Sequence, residues 1–147
     1  MSNRLTLDNE ELVEEFYEDS LLLGIMASSM EAQRFVWQVN QSIRFDFRIN
    51  DALEISIKRK GRTYYFPVFE YQEPGITLTY YLYKNQYDGE YLLPEFKHLD
   101  FLWLLKGDLP NKGEEALLID DIKNIQGVQL VIPLTLEKMK NKLNLVL

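Results

Sequence analysis

Leu93-Pro94-Glu95-Phe96-Lys97-His98-Leu99-Asp100-Phe101-Leu102-Trp103-Leu104-Leu105 leads from a proline-set bend into the most apolar run of the chain. Phe101–Leu105 has no polar position, so it reads as a strand buried on both faces. Leu21–Ala27 has the same character. Two such runs belong at the centre of one sheet, and the segments around them decide the fold.

Ser28, with Glu31 three residues later, has the spacing of a capping box, which predicts a helix over Met30–Ile43. Ala32, Val36, Val39 and Ile43 form its inner face, widened by Phe35. Leu53–Ile57 then alternates as a half-buried strand. The second central run is followed in the same way. Asn111 and Glu114 make a second capping box, and Glu114–Ile125 is a helix with Leu118, Ile122 and Ile125 inward. Gly127 is placed as its left-handed C-terminal residue, and Val128–Ile132 is an alternating strand stopped by Pro133. Two β-α-β units result. They predict an α+β fold, a ferredoxin-like two-layer sandwich of sheet order 4-1-3-2 with both helices on one face. An inserted antiparallel β-hairpin over residues 63–83 has strands Thr63–Tyr71 and Thr77–Tyr83, joined by Glu73-Pro74-Gly75. Pro67 lacks an N–H, so it belongs at an edge or bulge. Arg4–Asp8 reads as a short edge strand, and residues 9–19 as a short acidic helix. Thr135 caps a last short helix, and Leu143–Leu147 reads as a terminal strand. One domain over residues 1–147 accounts for the whole chain.

The formal net charge is −7, and it is local. Asp8, Glu10, Glu11, Glu14, Glu15, Glu18 and Asp19 face only Arg4 within the first twenty residues. Nucleic-acid binding is disfavoured, because it needs clustered bases. The one dense basic group, Lys58, Arg59, Lys60 and Arg62, flanks Gly61 and reads as a solvated hairpin turn. Eight of the nine tyrosines lie between Tyr64 and Tyr91 and read as cross-strand pairs rather than a base-stacking surface. There is no cysteine, which excludes disulfides, a thiolate nucleophile and Cys-ligated metal. The start lacks the pattern of a signal peptide, and no apolar run is long enough to span a bilayer. A cytoplasmic protein without a membrane partner is the expectation.

Leu93-Pro94-Glu95 and Leu99-Asp100-Phe101 resemble the motif of the bacterial IPExxxVDY family. The stretches L-T-L-D, F-V-W-Q-V-N and K-L-N-L-V-L look familial too. Leu93, Leu99 and Phe101 are conservative departures, while Pro94, Glu95 and Asp100 match. The resemblance implies no particular activity. The residues themselves allow two readings. Glu95 and Asp100 accept hydrogen bonds from loop N–H groups, or, with His98, they form an acid/base or metal cluster. Trp37 and Asn40, one helical turn apart, either pack or line a groove. No G-x-G-x-x-G, Walker loop, H-E-x-x-H or G-x-S-x-G occurs, so no catalytic residue, metal or cofactor is assigned. The expectation is a non-catalytic interaction protein, homodimeric through sheet edges, with an unidentified protein or small-molecule partner. A small-molecule-binding sensor is the alternative, and an enzyme using Glu95, His98 and Asp100 ranks below both.

Overall fold

Residue parity along the two apolar runs sorts the core into two halves. In the computed structural model, which describes residues 2–28 and 30–147 and only the backbone of 2–8, α1 (Ser2–Tyr17) leads into β1 (Ser20–Met26) and α2 (Ala32–Ile43). β2 (Arg48–Ile49), β3 (Ile55–Arg59), β4 (Arg62–Phe66), β5 (Val68–Gln72) and β6 (Leu78–Lys84) follow. The chain closes with β7 (Gln86–Tyr87), β8 (Glu90–Tyr91), β9 (Phe101–Gly107), α3 (Lys112–Lys123) and β10 (Leu130–Leu134). Six strands form one sheet in the order β10-β1-β9-β6-β5-β2, and each neighbouring pair is antiparallel. β3–β4 and β7–β8 are separate two-stranded sheets.

Leu23, Ile25, Phe101, Trp103 and Leu105 pack against Ala32, Phe35, Val36 and Val39 of α2 and Ile122 of α3. Phe35 and Phe101 stack with ring centres 4.1 Å apart. Leu22, Leu102 and Leu104 face the other way, onto Phe16 and Tyr17 of α1, Ile55, Ile57 and Phe66 of the β3–β4 hairpin, and Met139 and Leu145 near the C-terminus. Phe101–Leu105 are all buried, as a strand covered on both faces must be. The α+β class holds, and cover on the second face adds a layer to the two-layer sandwich expected.

The difference arises at Pro67. The expected strand Thr63–Tyr71 divides there into β4 and β5, because proline cannot donate to a continuous ladder. β5 and β6 join the main sheet beside β9. Leu53–Ile57, expected in that sheet, instead supplies β3 of the hairpin, which folds over the second face. The hairpin expected over 63–83 is therefore shared between two sheets.

Smaller expectations also change. Arg4–Asp8 is helical backbone within α1. Glu31, not Ser28, is the N-cap of α2, without a side-chain cap bond, and the Ser28 hydroxyl meets Gln129 at 3.4 Å. The Asn111–Glu114 capping box is present in full. Gly127 is left-handed (φ +93°), but α3 ends four residues earlier, at Lys123. β10 runs through Pro133 rather than stopping before it. Thr135 precedes a 3₁₀ turn, Leu136–Lys138, and makes no cap bond. Lys142–Leu145 is 3₁₀ rather than strand. No described helix is long and apolar enough to cross a membrane.

Candidate functional site

The Leu93–Phe101 stretch is built around a residue outside it. Asn85, at the end of β6, is fully buried. Its Oδ1 accepts the Leu93 N–H at 2.8 Å. Its Nδ2 donates to the carbonyls of Phe96 and Leu99, both at 2.9 Å. Its backbone N–H donates to Asp100 O (2.9 Å), and its carbonyl accepts the Leu92 N–H (2.8 Å). One side chain thus satisfies polar groups that the bend would otherwise bury unpaired. Pro94 opens a 3₁₀ turn, Pro94–Phe96, after Leu93 (φ −119°, ψ 86°), which the proline keeps out of the helical region. Leu93 and Leu99 are buried beneath it. Sequence reading passed over Asn85, because an asparagine after a strand signals only a turn.

Glu95 and Asp100 bind different parts of the chain. Glu95 Oε2 accepts the backbone N–H groups of Lys140 (2.5 Å) and Asn141 (2.7 Å), and Oε1 accepts Asn141 Nδ2 at 3.0 Å. Burial raises the pKa of Glu95, but the Asn141 side chain and these backbone donors outweigh it and hold the pKa below the usual carboxylate value. Asp100 Oδ2 accepts the Ala27 N–H at 2.8 Å, extending the β1–β9 pairing. His98 is exposed, with its ring 6.4 Å from that of Phe96. The three side chains are not brought together. Among the described residues no group of three His, Cys, Asp or Glu side chains is placed to hold a metal.

Glu95 is one of four hydrogen-bonding groups that fasten residues 140–145 across the second face. Tyr17 Oη donates to Lys142 O at 2.7 Å, Tyr83 Oη to Leu145 O at 3.0 Å, and Asn144 Nδ2 to Leu92 O at 2.8 Å. Burial raises the pKa of both phenols, and neighbouring Glu95 adds to the effect at Tyr17. Both therefore remain donors at any ordinary pH.

A pocket of about 210 Å³ lies on the outer side of the motif, lined by Met30, Lys84, Gln86, Tyr91, Lys97, Leu99 and Asp100. Lys97 Nζ sits 5.6 Å from the centre of the Tyr91 ring. Neither lysine is in an ion pair among the described residues.

Trp37 does not pack. It is 60% exposed on the outer side of α2. Asn40 turns away from it to the sheet edge. Asn50 N–H donates to Val68 O at 2.9 Å, so by antiparallel alternation Phe47 and Ile49 present their backbone groups outward. Asn40 Oδ1 accepts the Phe47 N–H at 2.9 Å, and Nδ2 donates to Phe47 O at 3.1 Å, as a neighbouring strand would. The β2 edge is short and partly capped. The opposite edge is blunted too. Gly107 N–H donates to Asp19 O at 3.0 Å, so odd residues of β1 bond to β9 and even ones to β10. Pro133 lies opposite Leu23, and the N–H it lacks would have pointed outward, away from the sheet.

One long edge stays open. Lys60 (φ +52°) and Gly61 (φ +76°) form a two-residue turn of the type that closes tight hairpins. Arg59 and Arg62 are its closing pair. Ile57 and Ile55 then bond to β4, while Glu54, Ser56 and Lys58 point outward and are exposed. On that side the described residues offer one bond, from Arg59 Nη1 to Lys58 O at 3.2 Å. β4 is shielded by the β7–β8 hairpin, through the Arg62–Asp88 ion pair and the Phe66 and Tyr87 rings 6.1 Å apart. A groove of about 370 Å³ follows the open edge of β3, walled by Leu53, Ile57, Leu143, Val146 and Leu147.

No family model, curated protein or solved structure matches the chain.

Proposed function

We propose that this is a small non-catalytic interaction protein that takes an extended partner strand along the free edge of β3, with homodimerisation through that edge as its simplest form. The observation that carries this is the unpaired row at Glu54, Ser56 and Lys58 beside an apolar groove, in a molecule whose main sheet is blunted at both ends. Strand addition draws affinity from main-chain bonds and specificity from pockets beside the edge. Panning a random peptide library against the wild type and Ser56→Pro tests it. The proline removes an outward N–H and leaves the β3–β4 ladder intact. Extended peptides that bind the wild type and lose Ser56→Pro support the proposal. Peptides that bind both equally, or no binders at all, reject it.

The pocket beside the motif favours a second reading, a small-molecule sensor for a compact anion. Two lysines without ion pairs, a tyrosine and a glutamine line the pocket, against one carboxylate, Asp100, which already accepts the Ala27 N–H. Small carboxylates and inorganic phosphate would raise the melting temperature of the wild type and not that of Lys84→Ala/Lys97→Ala. Equal responses remove this reading.

The proposal also includes the IPExxxVDY family, on the motif residues, and a cytoplasmic location. It includes a ferredoxin-like core in which β10-β1-β9-β6 carries the 4-1-3-2 order, with β6 in the position expected of Leu53–Ile57. The strand order and the shared helical face support that core.

A further inference from the structure

We infer that the occupant of the β3 edge is the β3 edge of a second copy, paired antiparallel about a two-fold axis at Ser56. The inference rests on the strand-addition reading and supplies its partner and register. A two-fold axis places residue 56 opposite itself, which brings Glu54 opposite Lys58 of the second copy and Lys58 opposite its Glu54. All four side chains are exposed on one face, two residues either side of the axis. Directly opposite charges stabilise a strand pair, and like charges oppose it. An axis at residue 54 would oppose two glutamates, and one at residue 58 two lysines. An axis at residue 55 sets Glu54 against Ser56. One at residue 57 sets Glu54 against Lys60, which lies in the left-handed turn outside the strand. The axis at Ser56 alone pairs both charges clear of the turn, Lys58 in β3 and Glu54 directly before it.

The backbone agrees with this register. Residues 54, 56 and 58 are the outward-facing ones, so each opposed pair exchanges two hydrogen bonds, displacing only the exposed bond from Arg59 to Lys58 O. β4-β3 and the second copy's β3-β4 become one four-stranded sheet. On the inner side, Ile55 comes opposite Ile57 of the second copy. Leu143 and Leu147, 43% and 40% exposed on the groove wall, gain cover. The contact is small, which places the dimer among weak, transient associations.

The chain has no cysteine, so single cysteines report the register cleanly. Oxidised Ser56→Cys should form a disulfide-linked dimer, because opposed bonded residues lie about 5.5 Å apart at Cα, within disulfide reach. Lys60→Cys at the turn should not. In sedimentation equilibrium, Glu54→Lys and Lys58→Glu should each weaken the dimer about tenfold, since each creates two like-charge oppositions. The double variant should restore it. These positions are exposed, and circular dichroism checks the fold of each. A dimer that ignores the charge exchange, or that cross-links through residue 60 and not residue 56, overturns the inference. A monomer at several hundred micromolar also overturns it. If that monomer still binds extended peptides in a Ser56→Pro-sensitive way, strand addition stands without self-pairing. If it binds none, both fall.

Discussion

Asn85→Ala would strip the Leu93 N–H and the carbonyls of Phe96 and Leu99 of a shared partner in a fully buried site. An unsatisfied buried group costs roughly 1–3 kcal/mol, so the expected loss is about 3 kcal/mol or more, read from urea unfolding. Gly24 tests the same stretch from the opposite side. A Cβ there would collide with Leu99 Cδ1 and lie 3.3 Å from Leu134 Cδ1. Gly24→Ala should therefore destabilise by about 1–3 kcal/mol through overpacking, measured the same way. Gly24 went unread within the apolar run Leu21–Ala27, although a glycine inside a strand marks a close approach. Which side chain approaches was not legible, because Leu99 lies 75 residues along the chain. The carboxylates were legible as hydrogen-bond acceptors, but not their partners at positions 27, 140 and 141, for the same reason.

The element most sensitive to pH is the segment Lys140–Leu145 lying across the second face. The folded pKa of Glu95 is depressed. Its contribution is therefore present above the unfolded carboxylate value of about 4.3 and is lost as pH falls from there through the lower folded value. Because the clamp is partly open to water, that contribution is about 1 kcal/mol near neutral pH. Glu95→Gln should melt below the wild type at pH 7, and the gap should close as pH falls below about 4. Amide exchange at residues 140–145 should quicken in the variant at pH 7. Helix α3 was readable because its capping box is local in sequence. The break at Pro67 was half readable. Proline forbids a continuous ladder, but where the chain goes after the break depends on which sheet face still needs cover. The Tyr71–Tyr80 pair, opposed across β5–β6 with ring centres 5.8 Å apart, accords with the cross-strand reading of the tyrosines.

At the scale of the whole molecule, self-association would couple stability to concentration, because binding that favours the native state raises the apparent melting temperature by mass action. The wild type should melt at a higher temperature at 500 µM than at 5 µM, on the order of 1–3 °C for a weak dimer. Ser56→Pro should show no such dependence, and calorimetry at both concentrations decides it. The sequence alone determined an α+β chain with two strands buried on both faces, two helices packed by Phe35 and Ile122, and an acidity confined to the first twenty residues. Those properties follow from periodicity and local charge, which neighbouring residues set among themselves. Which hairpin joins the sheet and which folds over its second face was settled by the folded packing. That packing also decided that Asn85 organises the motif, that Glu95 and Asp100 bind distant backbone, and that β3 keeps an open edge. Each of these depends on groups far apart in sequence meeting where a buried donor, acceptor or apolar face needs a partner, and no local pattern encodes such a meeting.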